Sequence, residues 1–143
     1  TAITNNTFLV LERDGKTPGQ SSNIIKKLYK IDISNATNVF SSDENGKLFN
    51  GKTIEQLTTN EINSLIKCVS KEEVLDIMSI PNYPHDKPEG VVIINNKLIA
   101  IVNDDDFGIL TEKGNVVPKS MPLNNNRQDE NVVYFVKLNK PLY

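Results

Sequence analysis

The chain has 143 residues, 38% of them apolar and 24% charged, with a formal charge of −2, which suits a single domain over 1–143 with its own core. The charge balance offers no basic surface to hold a phosphate backbone, so nucleic acid is not an expected partner. No apolar run reaches the roughly 18–20 residues of a membrane span, and Cys68, the single cysteine, permits neither an internal disulfide nor a thiolate metal cluster.

In chain order, Thr7 to Arg13 is rich in strand formers and runs from four apolar residues into Glu12, Arg13 and Asp14. Such a strand is expected to stop in a turn at Asp14-Gly15, and the Gly- and Pro-containing stretch up to Ser22 reads as a loop. Lys27 to Ile33 alternates, with Tyr29, Ile31 and Ile33 on one face and Lys30 and Asp32 on the other, and is expected to pair with the first strand. Val39 and Phe40 suggest a short third strand. Thr53 to Val69 carries Ile54, Leu57, Ile62, Leu65 and Ile66 near helical spacing, with a break expected at Thr58 to Asn60. Cys68 is expected to be a buried small hydrophobe.

Glu73 to Ile80 reads as a further strand, and Ile80 to Pro88, IPNYPHDKP, as irregular chain, since its three prolines remove donors and fix φ. His85, the only histidine, is expected on the surface of that loop. Gly90 to Ile94 and Lys97 to Val102, joined by Asn95-Asn96, form a tight hairpin so apolar that both of its faces are expected to be covered. The second of these strands runs into Asp104, Asp105 and Asp106. Asn115 to Arg127 reads as a polar loop, and Asn131 to Asn139 as a last alternating strand.

Superposing Ile3 to Glu12 on Ile93 to Asn103 aligns an apolar residue, an Asn-Asn turn and an apolar strand, with one residue of slack. Glu12 then falls on Asn103 and Arg13 on Asp104. The two charged strand ends occupy one position in two copies of a repeat, and the copy that starts at Ala2 is expected to be a piece of a longer unit. Antiparallel repeats of this kind suit blades of a β-propeller. The expected fold class is mainly β and antiparallel, about two propeller blades with one helical insertion.

ERDG at Glu12, KKLYKIDIS at Lys26, DKPEG at Asp86 and NDDDFG at Asn103 occur in an order and spacing that resemble the phytase-like propeller family, the esterase-like activity of phytase domain, in its C-terminal part. Asp105 stands where that family's pattern has Asn. The resemblance implies an exported protein, extracellular or periplasmic, that hydrolyses phosphate or related esters with metal assistance. It implies a channel rim on which Glu12, Glu89, Asp104 and Asp106 supply oxygen ligands to Ca²⁺, while Arg13 grips a substrate phosphate and Glu12 and Glu89 share the catalytic work. The implied partners are a small-molecule phosphate ester and the remaining blades of a parent protein, or a second copy that covers the exposed blade faces.

Two other readings stand beside this one. The charged ends also suit a non-catalytic propeller that binds or packs, because fold alone confers no activity. GKLFNGKT, Gly46 to Thr53, satisfies the P-loop expression, yet bulky Leu48 and Phe49 sit where such a loop must wrap phosphate, and the preceding Ser41 to Asn45 is polar instead of a buried strand.

Overall fold

A computed structural model of the protein describes residues 1–40 and 46–143; the stretch Ser41 to Asn45, read above as polar chain, lies outside the described residues. In chain order the elements are β1 (Thr7–Arg13), β2 (Lys26–Asp32), the helix α1 (Thr59–Leu65), β3 (Ser70–Asp76), β4 (Pro88–Asn95), β5 (Leu98–Asn103), β6 (Ile109–Glu112), β7 (Asn115–Pro118), β8 (Ser120–Met121), β9 (Arg127–Gln128) and β10 (Val133–Lys137). Two antiparallel sheets dominate, with orders β1-β2-β3 and β10-β5-β4. Two small hairpins, β6-β7 and β8-β9, hang between β5 and β10. The protein is mainly β and antiparallel, with no closed barrel among the described residues, consistent with a piece of about two propeller blades.

Strand alternation decides what faces what. On β1, Leu9 and Leu11 point toward the second sheet with Leu28 of β2, and Leu9 and Leu28 join Ile77, Tyr83, Ile99, Ile101, Leu138 and Leu142 in one core. Phe8, Val10 and Glu12 take the other face, alongside their cross-strand partners Ile31, Tyr29 and Lys27. That face is salt-bridged, with Lys27 on Glu73 at 2.7 Å, Lys71 on Glu12 at 2.6 Å, and the Lys71 ammonium 3.9 Å from the centre of the Tyr29 ring.

The repeat is visible in the pairing. β5 lies between β4 and β10, and β1 lies between β2 and the Ala2 segment, which bridges to Phe8. Capping divides the helical insertion where Thr58 interrupts it. Residues Ile54–Gln56 form a single 3-10 turn, and α1 begins after Thr58, whose hydroxyl accepts from the Glu61 N–H while the Glu61 carboxylate accepts from the Thr58 N–H.

Several expectations are corrected. Val39 and Phe40 belong to no strand and are exposed, because no strand among the described residues offers them a ladder. The strand expected from Glu73 to Ile80 starts earlier, at Ser70, and ends at Asp76, whose carboxylate accepts from the Met78 N–H and caps a 3-10 turn at Ile77–Ser79. Asn115 to Arg127 contains strand as well as loop, since Val116 and Val117 pair with Thr111 and Leu110 across a Lys113-Gly114 turn in which both residues have positive φ. Cys68 is exposed, in the link between α1 and β3. His85 is buried, because Tyr83, Pro84 and His85 pass between the sheets instead of over them.

The β4-β5 hairpin has one covered face and one open face. Val91, Ile93, Ile99 and Ile101 pack on the first sheet, while Val92 and Ile94 on β4 and Val133 and Phe135 on β10 are exposed. Gly90, where the register of this hairpin shifts, leaves room for its partner Val102: a Cβ there would lie 2.4 Å from Val102 Cγ1. Removing a strand glycine ordinarily gains roughly 0.5–1 kcal/mol, but overpacking costs about 1–3 kcal/mol, and a β-branched valine has little freedom to turn aside. Gly90→Ala is therefore expected to lower stability in urea unfolding, and adding Val102→Ala should return most of the loss. An unchanged midpoint for the single variant would show that the strands separate without cost.

Candidate functional site

The two charged strand ends meet across the sheets. Arg13 points inward with Leu9 and Leu11, and its Nη2 donates to Glu89 at the start of β4. The residue opposite Arg13 on β2 is Lys26, which is fully buried. Its ammonium donates to the Asp86 carbonyl at 2.6 Å and sits 3.3 Å from Asp14 Oδ1. Burial pushes the Lys26 ammonium below the usual lysine range against the pull of Asp14. Burial also opposes the charge of Asp14, but N–H donors from Ile25 and Lys16, together with Lys26, hold its carboxyl below the ordinary value.

From Asp86 the network continues with alternating sign. The Lys119 ammonium lies 2.8 Å from Asp86 Oδ1, 2.8 Å from Asp106 Oδ2 and 3.2 Å from Asp129 Oδ2. Lys87 pairs with the other oxygen of Asp106. These two lysines hold the Asp106 carboxyl below its usual range, with Lys119 the stronger influence. Burial works against the charge of Lys119, but its contacts with Asp106, Asp86 and Asp129 prevail and its pKa stands above the ordinary value. Asp129 Oδ1 meets His85 Nδ1 at 2.7 Å, and His85 Nε2 meets the Tyr134 hydroxyl at 2.8 Å.

The Asp104–Gly108 loop is held in an uncommon shape. Asp106, Phe107 and Gly108 have φ of 54°, 60° and 66° in succession, a left-handed run that costs non-glycine residues roughly 1–2 kcal/mol each. Side chains fix it: Asp104 Oδ1 accepts from the Asp106 N–H, Asp105 Oδ1 accepts from the Phe107 N–H, and Gln128 Nε2 donates to the Gly108 carbonyl at 2.7 Å. The result places Phe107 93% exposed at the tip.

The structure thus places the residues singled out in the sequence in two groups. Arg13, Glu89, Asp104 and Asp106 gather at one end of the paired sheets. Glu12, one residue before Arg13, points to the opposite face of its sheet and is bound to Lys71. The donor chemistry of Glu12, Glu89, Asp104 and Asp106 suits a hard cation, but among the described residues these four are not gathered into a group that could hold a metal ion. Glu12, Glu89 and Asp106 each already hold a cationic side chain. Asp104 and Asp105 have no cationic partner among the described residues.

Lys26 and Asp86 head two of the motifs quoted from the sequence but had no role assigned there, and Lys119 and Asp129 were not singled out, because isolated charges in irregular chain read as solvated. The best signal was Asp86-Lys87, the start of DKPEG. The P-loop-like segment closes on itself: Phe49 and Lys52 exchange backbone hydrogen bonds around Asn50 and Gly51, and Lys52 Nζ donates to Glu61 at 2.6 Å. Only a single 3-10 turn, Ile54–Gln56, follows it in place of an α-helix, so it lacks the phosphate cradle that the expression describes.

The family model described as phytase-like, esterase-like activity of phytase, matches residues 1–107. The chain belongs to this family. No curated protein and no solved structure gives a significant match. The phytase-like match takes in both charged strand ends and stops in the left-handed loop, so Asp86 and Asp106 lie inside it and Lys119 and Asp129 beyond it.

Because Phe107 pays for its position in backbone strain and buries almost nothing, Phe107→Gly should remove the strain without a packing loss. Set against the greater unfolded-state freedom of glycine, about 0.4–1 kcal/mol, the expected net effect in denaturant unfolding is a gain of about 0.5 kcal/mol. A loss would mean that the ring makes a stabilising contact.

Proposed function

We propose that this phytase-like chain is part of a β-propeller hydrolase acting on phosphate or related esters, with residues 1–143 as one domain of it. The observation that carries this reading is the Arg13 guanidinium, delivered by β1 to the end of the sheets that also holds Glu89 and Asp104. Only Nη2 of Arg13 has a partner among the described residues, which leaves further guanidinium N–H groups to donate to the oxygens of a phosphate group. Glu89, with its side chain 47% exposed, is the carboxylate best placed to accept a proton from an attacking water once phosphate takes over Arg13.

Ca²⁺ enters the proposal on ligand chemistry: Asp104, which has no cationic partner among the described residues, and Glu89 supply hard oxygens at the rim, with Glu12 and Asp106 available only on release from their lysines. When bound, such an ion would polarise a phosphoryl oxygen.

The partner that covers the open face of the second sheet is proposed to be a further blade of the same protein or a second copy. In the repeat alignment Ala100 and Val102 correspond to Leu9 and Leu11, which are covered in the first sheet, and the shallow groove beside them is lined by Gly90, Val92, Ala100, Ile101, Val102 and Val133. An apolar face of this kind is ordinarily buried. Among the described residues no helix is long and apolar enough to cross a membrane, and the family favours an extracellular or periplasmic setting. The other reading, a non-catalytic module, draws support from the mutual neutralisation of the rim charges.

The test is hydrolysis of a generic phosphomonoester by the wild-type protein, Arg13→Ala and Asp104→Asn, each with Ca²⁺ and with a chelator. Arg13→Ala is expected to lower kcat/KM by about 100-fold while changing stability by less than about 1 kcal/mol, and Asp104→Asn to weaken the response to Ca²⁺. Equal background turnover in every sample would remove the enzyme reading and leave the binding module.

A further inference from the structure

Lys119 is surrounded as a metal ion would be. Three carboxylate oxygens reach its ammonium from three separate segments: Asp86 before β4, Asp106 after β5 and Asp129 after β9. Only the Asp106 contact has hydrogen-bond geometry. Asp86 Oδ1 and Asp129 Oδ2 are buried, and among the described residues this ammonium is the one cation that meets them. The Asp129 side chain is 1% exposed and its Oδ1 is occupied by His85 and the Glu130 N–H, which leaves Oδ2 aimed into the cluster.

The lysine is delivered there by its backbone. Its N–H donates to the Gly108 carbonyl at 2.9 Å, and its carbonyl accepts from the Asp129 N–H at 2.6 Å. The side chain itself is 9% exposed. Separations of 2.8–3.2 Å suit an ammonium; Ca²⁺ ligands sit at about 2.3–2.6 Å.

We infer that Asp86, Asp106 and Asp129 form a cation site whose resident cation is the Lys119 ammonium, closed to Ca²⁺ in the native chain and opened to a hard divalent ion when that ammonium is removed. The charge needed to hold three converging carboxylates is supplied covalently. The left-handed Asp106–Gly108 turn, which Lys119 touches through both its ammonium and its N–H, is thereby held without free Ca²⁺. Two members of the site lie within the family match and two beyond it, so the chain after the match closes over charges that the matched part presents. This inference does not rest on the hydrolase reading, but it shares Asp106 with the Ca²⁺ ligands proposed there and keeps that residue on Lys119 in the native chain.

The test uses the full chain. Thermal unfolding of wild type, Lys119→Ala and Lys119→Met is followed with Ca²⁺ and with a chelator, and the Lys119 ammonium of the wild type is followed by NMR during Ca²⁺ addition. Lys119→Ala should melt lower than wild type in chelator, and Ca²⁺ should return at least half of the difference beyond any response of the wild type. Lys119→Met should melt lower and stay low, because its side chain fills the space without charge. The wild-type Lys119 signal should not move. A Lys119 signal that shifts or vanishes with Ca²⁺ would overturn the inference, as would Lys119→Ala with wild-type stability or with a loss that Ca²⁺ leaves untouched. Should Lys119→Ala fail to fold in either condition, the wild-type signal alone decides: constancy supports the assignment, displacement by Ca²⁺ refutes it.

Discussion

Two cations stand directly opposite each other at the inner end of the β1-β2 pair, Arg13 and Lys26, and the pairing of the sheets answers them. Like charges across a strand pair repel, and a buried ammonium is costly without acceptors. The second sheet and its approach supply what is missing: Glu89 for Arg13 and the Asp86 carbonyl for Lys26. Since the apolar faces alone would tolerate some sliding, these polar contacts are what fix one sheet end against the other. The path of the Ile80–Pro88 segment follows from the same need, because it must bring Asp86 under Lys26.

How much of this was legible in the sequence depends on where the signal was periodic. β1, β2 and the β4-β5 hairpin could be read because alternation or continuous apolar runs mark them, and the two-copy alignment holds in the pairing of Ala2 with Phe8. The division of the helical insertion at Thr58 was legible as a weak spot in the pattern. Val39-Phe40 misled because two strand-forming residues without a partner strand are only an exposed apolar pair. β6 to β9 were illegible because short hairpins owe their stability to turn geometry, Lys113-Gly114 for one, and not to a repeating apolar face.

The site was half legible for a related reason. Adjacent charges such as Asp104 to Asp106 announce themselves, since their repulsion demands exposure or a counter-charge. Their counter-charges do not, because Lys87 and Lys119 are single residues at 19 and 13 positions' remove from Asp106. His85 is the sharpest case: its burial depends on Asp129 and Tyr134, which lie 44 and 49 residues away. Conversely, adjacency in sequence gave a false impression of Glu12 and Arg13, which alternation sends to opposite faces of one sheet.

Membership of the phytase-like family and the internal neutralisation of the strand ends fit together if the rim is organised first by its own ion pairs and bound by substrate second. Arg13 is then both the link between the sheets and the group that meets phosphate, and its pairing with Glu89 is the claim on which the rest stands. A double-mutant cycle on stability, with Arg13→Met, Glu89→Gln and the pair, tests it most directly. The account predicts a coupling of at least about 0.5 kcal/mol that shrinks as salt is raised; strict additivity of the two substitutions at low salt would contradict it.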